Sequence, residues 1–334
     1  MFEQYPPQPG TEIRSDQVSM EPLAGQTIAI IGYGTMGRAQ ALNLQRSGCQ
    51  VVVGSRADSK TAELARSEKQ TVLGLADAVS KADVVMLMLP DEAMAEVYQE
   101  HVAPNLKAGA ALGFAHGFAI AFDQIKPPHG SRCFLVAPKS QGDMLLKAHA
   151  AGGVVPGLIA VTDDAPDETW DLAAAYALAV GCVSGGAFVT TFRNECISDQ
   201  FGEQVVLCGG VVDLVKAAFD IMVKAGYGEE NAYFECVHEL KLITDLLHQH
   251  GVDGMRSRIS GTAAYGGLTR GPEVVDESVR DRMRKVLQDI ESGAFAREFL
   301  SEHQKTKKLA EQEAAGSLAQ VGRKMLPRLH PENE

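Results

Sequence analysis

One stretch limits the fold of this chain more than any other. Residues Thr27–Ile31 are apolar or β-branched, and Gly32-Tyr33-Gly34-Thr35-Met36-Gly37 follows at once. A helical pattern then covers Thr35–Ser47, and a second β-branched run, Gln50–Val53, closes the unit. Strand, glycine turn, helix and strand in that order form a βαβ unit whose first turn suits a dinucleotide pyrophosphate. Gly32 permits the tight turn, Gly34 lets the backbone approach a phosphate, and Gly37 lets helix and strand pack closely. The helix start adds N–H groups and the positive end of the helix dipole. The competing reading is a glycine-rich turn with a purely structural role.

The same alternation continues beyond this unit. Val84–Leu89, Ala110–Phe114, Cys133–Ala137 and Leu158–Val161 are aliphatic runs, as expected of strands buried on both faces. Helical stretches such as Ser59–Arg66 and Glu92–His101 lie between them. This predicts a doubly wound parallel sheet. Near residue 190 the pattern changes. From Glu195 onward no run reads as a strand, and helical patterns cover 196–225, 230–250, 273–291 and 302–325. Gly226-Tyr227-Gly228 separates the first two, with Asn231 as an alternative cap for the second. The expected organisation is an α/β Rossmann domain over residues 1–190 and an all-α domain over 191–334. No flexible linker separates them, so close packing is expected.

Charge and cysteine usage narrow the partners. Lys+Arg 31 against Asp+Glu 43 leaves −12, which argues against a nucleic-acid partner because phosphate neutralisation needs a basic surface. None of Cys49, Cys133, Cys182, Cys196, Cys208 and Cys236 stands at a CxxC spacing, so free thiols in a reducing cytoplasm are expected. The N-terminal stretch MFEQYPPQPGTEIRSDQ is polar and Pro-rich, without the apolar core of a signal peptide. No segment approaches the ~18 apolar residues of a membrane span. A cytoplasmic protein with no membrane partner is expected.

The end of the second strand bears on cofactor choice. NAD enzymes commonly place Asp or Glu there to hold the ribose 2′-OH. This chain instead reads Gly54-Ser55-Arg56-Ala57-Asp58-Ser59-Lys60-Thr61. Arg56 can grip a 2′-phosphate with Ser59 and Thr61 as hydroxyl donors, so NADP(H) is expected. A solvated loop charge is the plainer alternative for Arg56.

The helical half carries a second constellation. Asp199 and Glu203 are spaced i, i+4 in SDQFGEQVVLCGG, and Glu235 and Glu239 likewise in AYFECVHELKLITDLL. Each spacing places both carboxylates on one helix face, among largely apolar neighbours. Two such pairs brought together would hold one or two divalent cations through oxygen ligands, as Mg²⁺ prefers. Exposed helix faces are the alternative. Glu235 and His238 also form a Glu-x-x-His element of the di-iron type, but no convincing second copy accompanies it.

These stretches together resemble ketol-acid reductoisomerase (acetohydroxy-acid isomeroreductase) of the short bacterial class. The resemblance runs from Leu23 to Lys324 and rests on IAIIGYGTMGRAQALNLQRSG, VVVGSR, MLPDEAMAEVY, FAHGF, VAPK, FGEQVVLCGG and AGYGEENAYFECVHELKLI. It implies an NADPH-binding Rossmann domain, a knotted all-helical domain through which two subunits interlock, and two Mg²⁺ ions between the domains. Asp199, Glu203, Glu235 and Glu239 would be the metal ligands, the last two coming from the partner subunit. Tyr33, Gly34, Thr35, Met36, Arg56, Ser59, Thr61 and the stretch Asp91, Glu92, Ala93 and Met94 would line the cofactor. His116, Lys139 and Gly142 would face the active site, and Ser260 would contact substrate. Lys139 and Glu239 would take part in the chemistry, and His116 would be either catalytic or cofactor-orienting. The implied reaction moves an alkyl group within 2-acetolactate or its ethyl analogue and then reduces the product with NADPH.

The chain departs from the family pattern around the pocket. Met36-Gly37-Arg38 stands where Gln-Gly-His is usual, and Ser140-Gln141-Gly142-Asp143 where Gly-Pro-Gly-His is usual. Ser260-Gly261-Thr262-Ala263-Ala264 replaces Ser-Asn-Thr-Ala-Glu, Ala119 replaces Asn, and Gln200 replaces Leu. The four carboxylates are kept. Three readings follow: the housekeeping reductoisomerase, a paralogue acting on another 2-hydroxy-3-keto acid, and a non-enzymatic NADPH-binding relative. An idle site has no reason to keep four carboxylates, which argues against the last.

Overall fold

The structure, a computed structural model, describes residues 5–330. The first four residues of the polar N-terminal stretch and the last four of the chain lie outside it. The described chain divides into two compact units, Met1–Ser198 and Asp199–Glu334.

The strands of the first unit are β1 (Glu12–Ile13), β2 (Thr27–Ile31), β3 (Gln50–Gly54), β4 (Thr71–Leu73), β5 (Val84–Leu87), β6 (Ala111–Phe114), β7 (Cys133–Pro138), β8 (Gly157–Val161) and β9 (Ala187–Val189). They form one sheet in the order β1-β9-β8-β7-β6-β5-β2-β3-β4. From β4 to β7 every pairing is parallel. The strand order reverses between β2 and β5, the switch point where a doubly wound sheet opens a crevice for ligands. Helices α1 (Thr35–Arg46), α2 (Lys60–Ser67), α3 (Leu75–Lys81) and α4 (Asp91–Val97) connect or follow these strands, and α5 (Phe118–Ala121), α6 (Gly142–Ala151) and α7 (Glu168–Val180) follow β6, β7 and β8.

Strand periodicity explains the two cores. Ile28, Ile30, Val84, Met86, Phe134 and Val136 face one side, where they meet Leu44, Leu145, Trp170 and Tyr176. Their neighbours Ala29, Ile31, Val85, Leu87 and Leu135 face the other, against Ala78, Val79, Met94 and Tyr98. Both faces are covered, which is why β2 and β5 read as continuous apolar runs.

The sheet is not wholly parallel, a correction to the expected architecture. β8 runs antiparallel to β7, with Pro138 opposite Gly157, and β1 runs antiparallel to β9. The chain leaves β7 through α6 and returns beside the end of β7, where Lys139 N–H bonds Pro156 O at 2.9 Å. β1, β4 and β9 were not expected at all. Each has two or three residues, too few for a periodicity to register.

Helix α8 (Phe192–Gly202) carries the chain from the first unit into the second. The second unit then comprises α9 (Gly210–Lys224), α10 (Glu229–Tyr233), α11 (Glu239–Arg256), α12 (Gly261–Val274), α13 (Glu277–Glu291), α14 (Ala294–Glu302), α15 (Lys305–Ala314) and α16 (Ser317–Leu329). The expected helix over 196–225 is broken by a π-helical turn at Glu203–Leu207, and that over 230–250 by another at Phe234–His238. The latter pattern also starts earlier than Asn231, at Glu229 behind Gly228 (φ 70°). The span 261–274, most of which lies between the helices expected over 230–250 and 273–291, is helix α12, capped by Ser260. Its glycines and Pro272 hide the helical pattern.

Glycines build the first π turn. The carbonyl of Glu203 accepts from both Cys208 N–H (2.8 Å) and Gly209 N–H (3.0 Å). A Cβ on Gly209 would lie 2.1 Å from Gln204 O, and one on Gly210 would lie 1.9 Å from Val205 O. No side chain fits either place. Gly210→Ala is therefore expected to cost about 2–3 kcal/mol by overpacking, read as a lowered Tm. An unchanged Tm would show that the turn relaxes freely.

The second unit has a small core of its own. Phe219, Ala232, Tyr233, Val321 and Met325 are its buried cluster. Val206, Leu207, Leu214, Ile221, Leu242 and Leu268 are among many exposed large apolar residues. Among the described residues no helix is long and apolar enough to cross a membrane.

Candidate active site

Within the first unit the expected residues gather at the carboxyl ends of the parallel strands. Gly32 follows β2 with φ 99°, and a Cβ there would fall 2.5 Å from Met88 O. Gly37 abuts the turn so closely that a Cβ would meet Gly32 O at 2.3 Å. Gly34, the N-cap of α1, has open space where its Cβ would be. The first N–H groups of α1, from Thr35 on, have no acceptor within their own helix. Tyr33 turns its ring into the core and donates its hydroxyl to Glu68 Oε2 at 2.9 Å, so only its backbone faces the crevice side. Across the switch point, α4 begins at Asp91, where Asp91 and Ala93 are half-buried, Glu92 is exposed and Met94 packs in the core.

The loop after β3 forms a chain of hydroxyls. Ser59 caps α2 through the Ala62 N–H (3.1 Å) and lies 2.9 Å from Ser55 Oγ and 3.1 Å from Thr61 Oγ1. Arg56 and Asp58 are exposed beside it.

A charged triad lies deeper. Glu195, on α8, is 1% exposed. Its Oε2 accepts from the Gly117 N–H at 2.8 Å and sits 3.1 Å from His116 Nδ1. Its Oε1 accepts from Lys139 Nζ at 2.8 Å. His116 follows β6 and Lys139 follows β7, so two strand ends and one helix converge on a single carboxylate. Local packing sets the geometry. Phe192 at the start of α8 meets Phe114 of β6 edge-on at 5.9 Å, and a Cβ on Gly117 would fall 2.2 Å from Phe192 O. Only glycine lets α8 come this close.

Electrostatics follow from burial and pairing. Burial alone would raise the Glu195 carboxyl, but the bond to His116 and the charges of His116 and Lys139 hold it below its ordinary value. Burial disfavours the His116 imidazolium, yet Cys196 and Glu195 push it well above the ordinary imidazole range. Burial also raises the Cys196 thiol and keeps it neutral, so the favourable charge is that of Glu195. Glu195 is the carboxylate that Lys139 and His116 share.

Residues 22–186 match the family described as acetohydroxy acid isomeroreductase, NADPH-binding domain, and residues 192–329 match ketol-acid reductoisomerase, C-terminal domain. The chain belongs to the ketol-acid reductoisomerase family. It is similar to an NADH-preferring ketol-acid reductoisomerase from an uncultured archean, with 38% identity and a TM-score of 0.91 over 94% of this chain and 98% of that one. Two more distant structures share the fold alone. One is a semialdehyde dehydrogenase NAD-binding protein from Cupriavidus necator (17% identity, TM-score 0.59, 79% of this chain and 98% of that one). The other is a pyrroline-5-carboxylate reductase from Coxiella burnetii (13%, 0.57, 81% and 98%). The reductoisomerase is thus an enzyme with an α/β nucleotide-binding domain followed by an all-helical domain.

Sequence reasoning missed Glu195. The signal was present: Glu195, Asp199 and Glu203 form one i, i+4, i+8 series, and only its last two members were taken as a pair. Asp199 lies one turn beyond Glu195 on α8 and is half-buried. In the second unit Glu203 opens the first π turn, Glu235 lies inside the second and Glu239 follows it. Glu203, Glu235 and Glu239 are exposed, not enclosed by the apolar neighbours their sequence suggests. π turns recur at functional sites in helical proteins. His238 packs edge-on against Phe234 at 6.1 Å. Ser260 Oγ accepts from Ala263 N–H at 3.2 Å and lies 3.1 Å from Thr262 Oγ1.

Proposed function

We propose that this reductoisomerase depends on Mg²⁺ and NADPH and acts on a 2-acetolactate-type 2-hydroxy-3-keto acid in the cytoplasm. The observation that carries the reading is the Lys139–Glu195–His116 triad at the strand ends beside the dinucleotide turn. Its two basic side chains suit an anionic hydroxy-keto acid. Four carboxylates, Asp199, Glu203, Glu235 and Glu239, offer oxygen donors only, which fits hard divalent cations. Open space at Gly34 and the start of α1 fit a pyrophosphate. When bound, the dinucleotide supplies hydride and two metal ions supply Lewis-acid polarisation.

The chain's own groups do the rest. Lys139 and His116 stand protonated against Glu195, so they hold protons and stabilise negative charge rather than accept protons. In the rearrangement the C2 hydroxyl loses its proton as the alkyl group moves to C3, and the former ketone oxygen becomes an alkoxide. Glu239 is the proposed partner of the oxygen that changes role. In the reduction the new C2 carbonyl gains hydride at carbon and a proton at oxygen, and Lys139 is the proton donor assigned from the triad.

For the 2′-phosphate we assign Arg56 with the hydroxyls of Ser59 and Thr61. Their mutual bonds gather them at the start of α2, where negative charge is favoured. Arg56→Ala is expected to weaken NADPH about tenfold more than NADH, the worth of a charge-assisted bond. Titration of both dinucleotides tests this, and equal loss would refute the assignment.

An intertwined homodimer is part of the proposal. The small core and exposed apolar residues of the second unit support it, because a monomer rarely leaves so much apolar surface uncovered. Glu235 and Glu239 would then serve the partner's site. The altered segments Ser140–Leu146 and Gly261–Ala264 favour a second reading, a paralogue with the same machinery and a different 2-hydroxy-3-keto acid. Turnover of 2-acetolactate with NADPH and Mg²⁺ separates the two: robust turnover supports the first. Failure to turn over while both ligands bind supports the second.

A further inference from the structure

Arg38 and Asp143 are two of the positions at which this chain departs from the family pattern, and in the fold they meet. Arg38 lies in the first turn of α1, its N–H bonded to Gly34 O at 2.8 Å. Its Nε lies 2.9 and 3.0 Å from the two Glu68 oxygens, and its Nη1 lies 3.4 Å from Asp143 Oδ1. Glu68 is the C-cap of α2 and also receives the Tyr33 hydroxyl. Asp143 stands in the first turn of α6. Beside this ion pair the backbones of α6 and the turn touch: a Cβ on Gly142 would fall 2.4 Å from Thr35 O. One guanidinium therefore ties the end of α2, the start of α6 and the glycine turn together. Two carboxylates engage it. The two substitutions are complementary in charge.

We propose that Arg38 is a positioning residue that latches the first turn of α6, through Asp143, onto the dinucleotide turn. The pair thereby sets how tightly the dinucleotide is held. This rests on the dinucleotide reading of the turn. Asp143 is 69% exposed and its bond is long, so the effect on affinity is modest. Buried Tyr33 and the bidentate Glu68 contact hold the Arg38 end still, which gives the latch a fixed anchor.

A double-mutant cycle on the full-length enzyme tests the latch, with NADPH and NADH titrated by their fluorescence. Asp143→Ala is expected to weaken NADPH about threefold and to raise its KM more than it lowers kcat. In an Arg38→Ala background the same change should have no further effect. Asp143→Asn, which keeps the size of the side chain and removes its charge, should weaken NADPH by the same few fold. If Arg38→Ala fails to fold because Glu68 is stranded, Arg38→Ala with Glu68→Gln serves as the background. Equal losses on Asp143→Ala in both backgrounds would overturn the latch, as would unchanged affinity in Asp143→Asn. A wild-type enzyme that binds neither dinucleotide would overturn the dinucleotide reading and the latch with it.

Discussion

Glu195→Gln is expected to lower kcat/KM by about a hundredfold or more, the size of a lost acid–base contribution. The substitution keeps the shape of the side chain and removes the charge that His116 and Lys139 share. Both cations then face each other beside a neutral amide, in a place where the carboxylate was 1% exposed. Breaking a buried ion pair by removing one partner costs about 3–5 kcal/mol. The enzyme can relieve that cost by deprotonating or moving one of the two cations. On the proposed roles, either response would remove a proton donor and part of the positive charge offered to the substrate. The dinucleotide turn is built from other residues, so NADPH binding should persist and distinguishes a disabled site from an unfolded protein. Activity within a few fold of the parent enzyme would mean that the triad is only a structural clamp.

Glu239→Gln is expected to bring rearrangement of 2-acetolactate below detection. An amide keeps the size of the carboxylate but binds a hard cation more weakly, and it cannot share negative charge with the oxygen that changes role. Reduction of the already rearranged 3-hydroxy-2-keto acid should fall less, because that step needs only a polarised carbonyl and hydride. Comparing the two substrates in one preparation separates the steps. Unchanged turnover of 2-acetolactate would contradict the assignment of Glu239. Its exposure on the single chain makes an unfolding explanation weak, since surface substitutions rarely disturb a fold.

The parts of this molecule that could be read from sequence are those with long local signals. β2, the glycine turn, α1 and β3 are contiguous, periodic and terminated by glycine, so each element supports the next. Short strands such as β1 and β9 exist only because a sheet edge offers hydrogen bonds, and nothing local announces them. The π turns depend on close backbone approach at Gly209 and Gly210, whereas the apolar spacing around them looks like plain α-helix. Glu195 was hidden for another reason: its partners, His116 and Lys139, lie 79 and 56 residues away in the chain. Arg38, Glu68 and Asp143 are likewise brought together only by the fold. The four carboxylates were legible as types and spacings, but their exposure was not, because apolar neighbours in sequence need not cover them in space.

The proposed enzyme couples a metal-dependent rearrangement to reduction by a dinucleotide. The most direct measurement is NADPH oxidation by the purified enzyme with 2-acetolactate, followed by absorbance with Mg²⁺, then with a chelator, then with Mg²⁺ restored. Turnover is expected to disappear with the chelator and to return with the metal. Turnover that persists in the chelator would contradict this coupling.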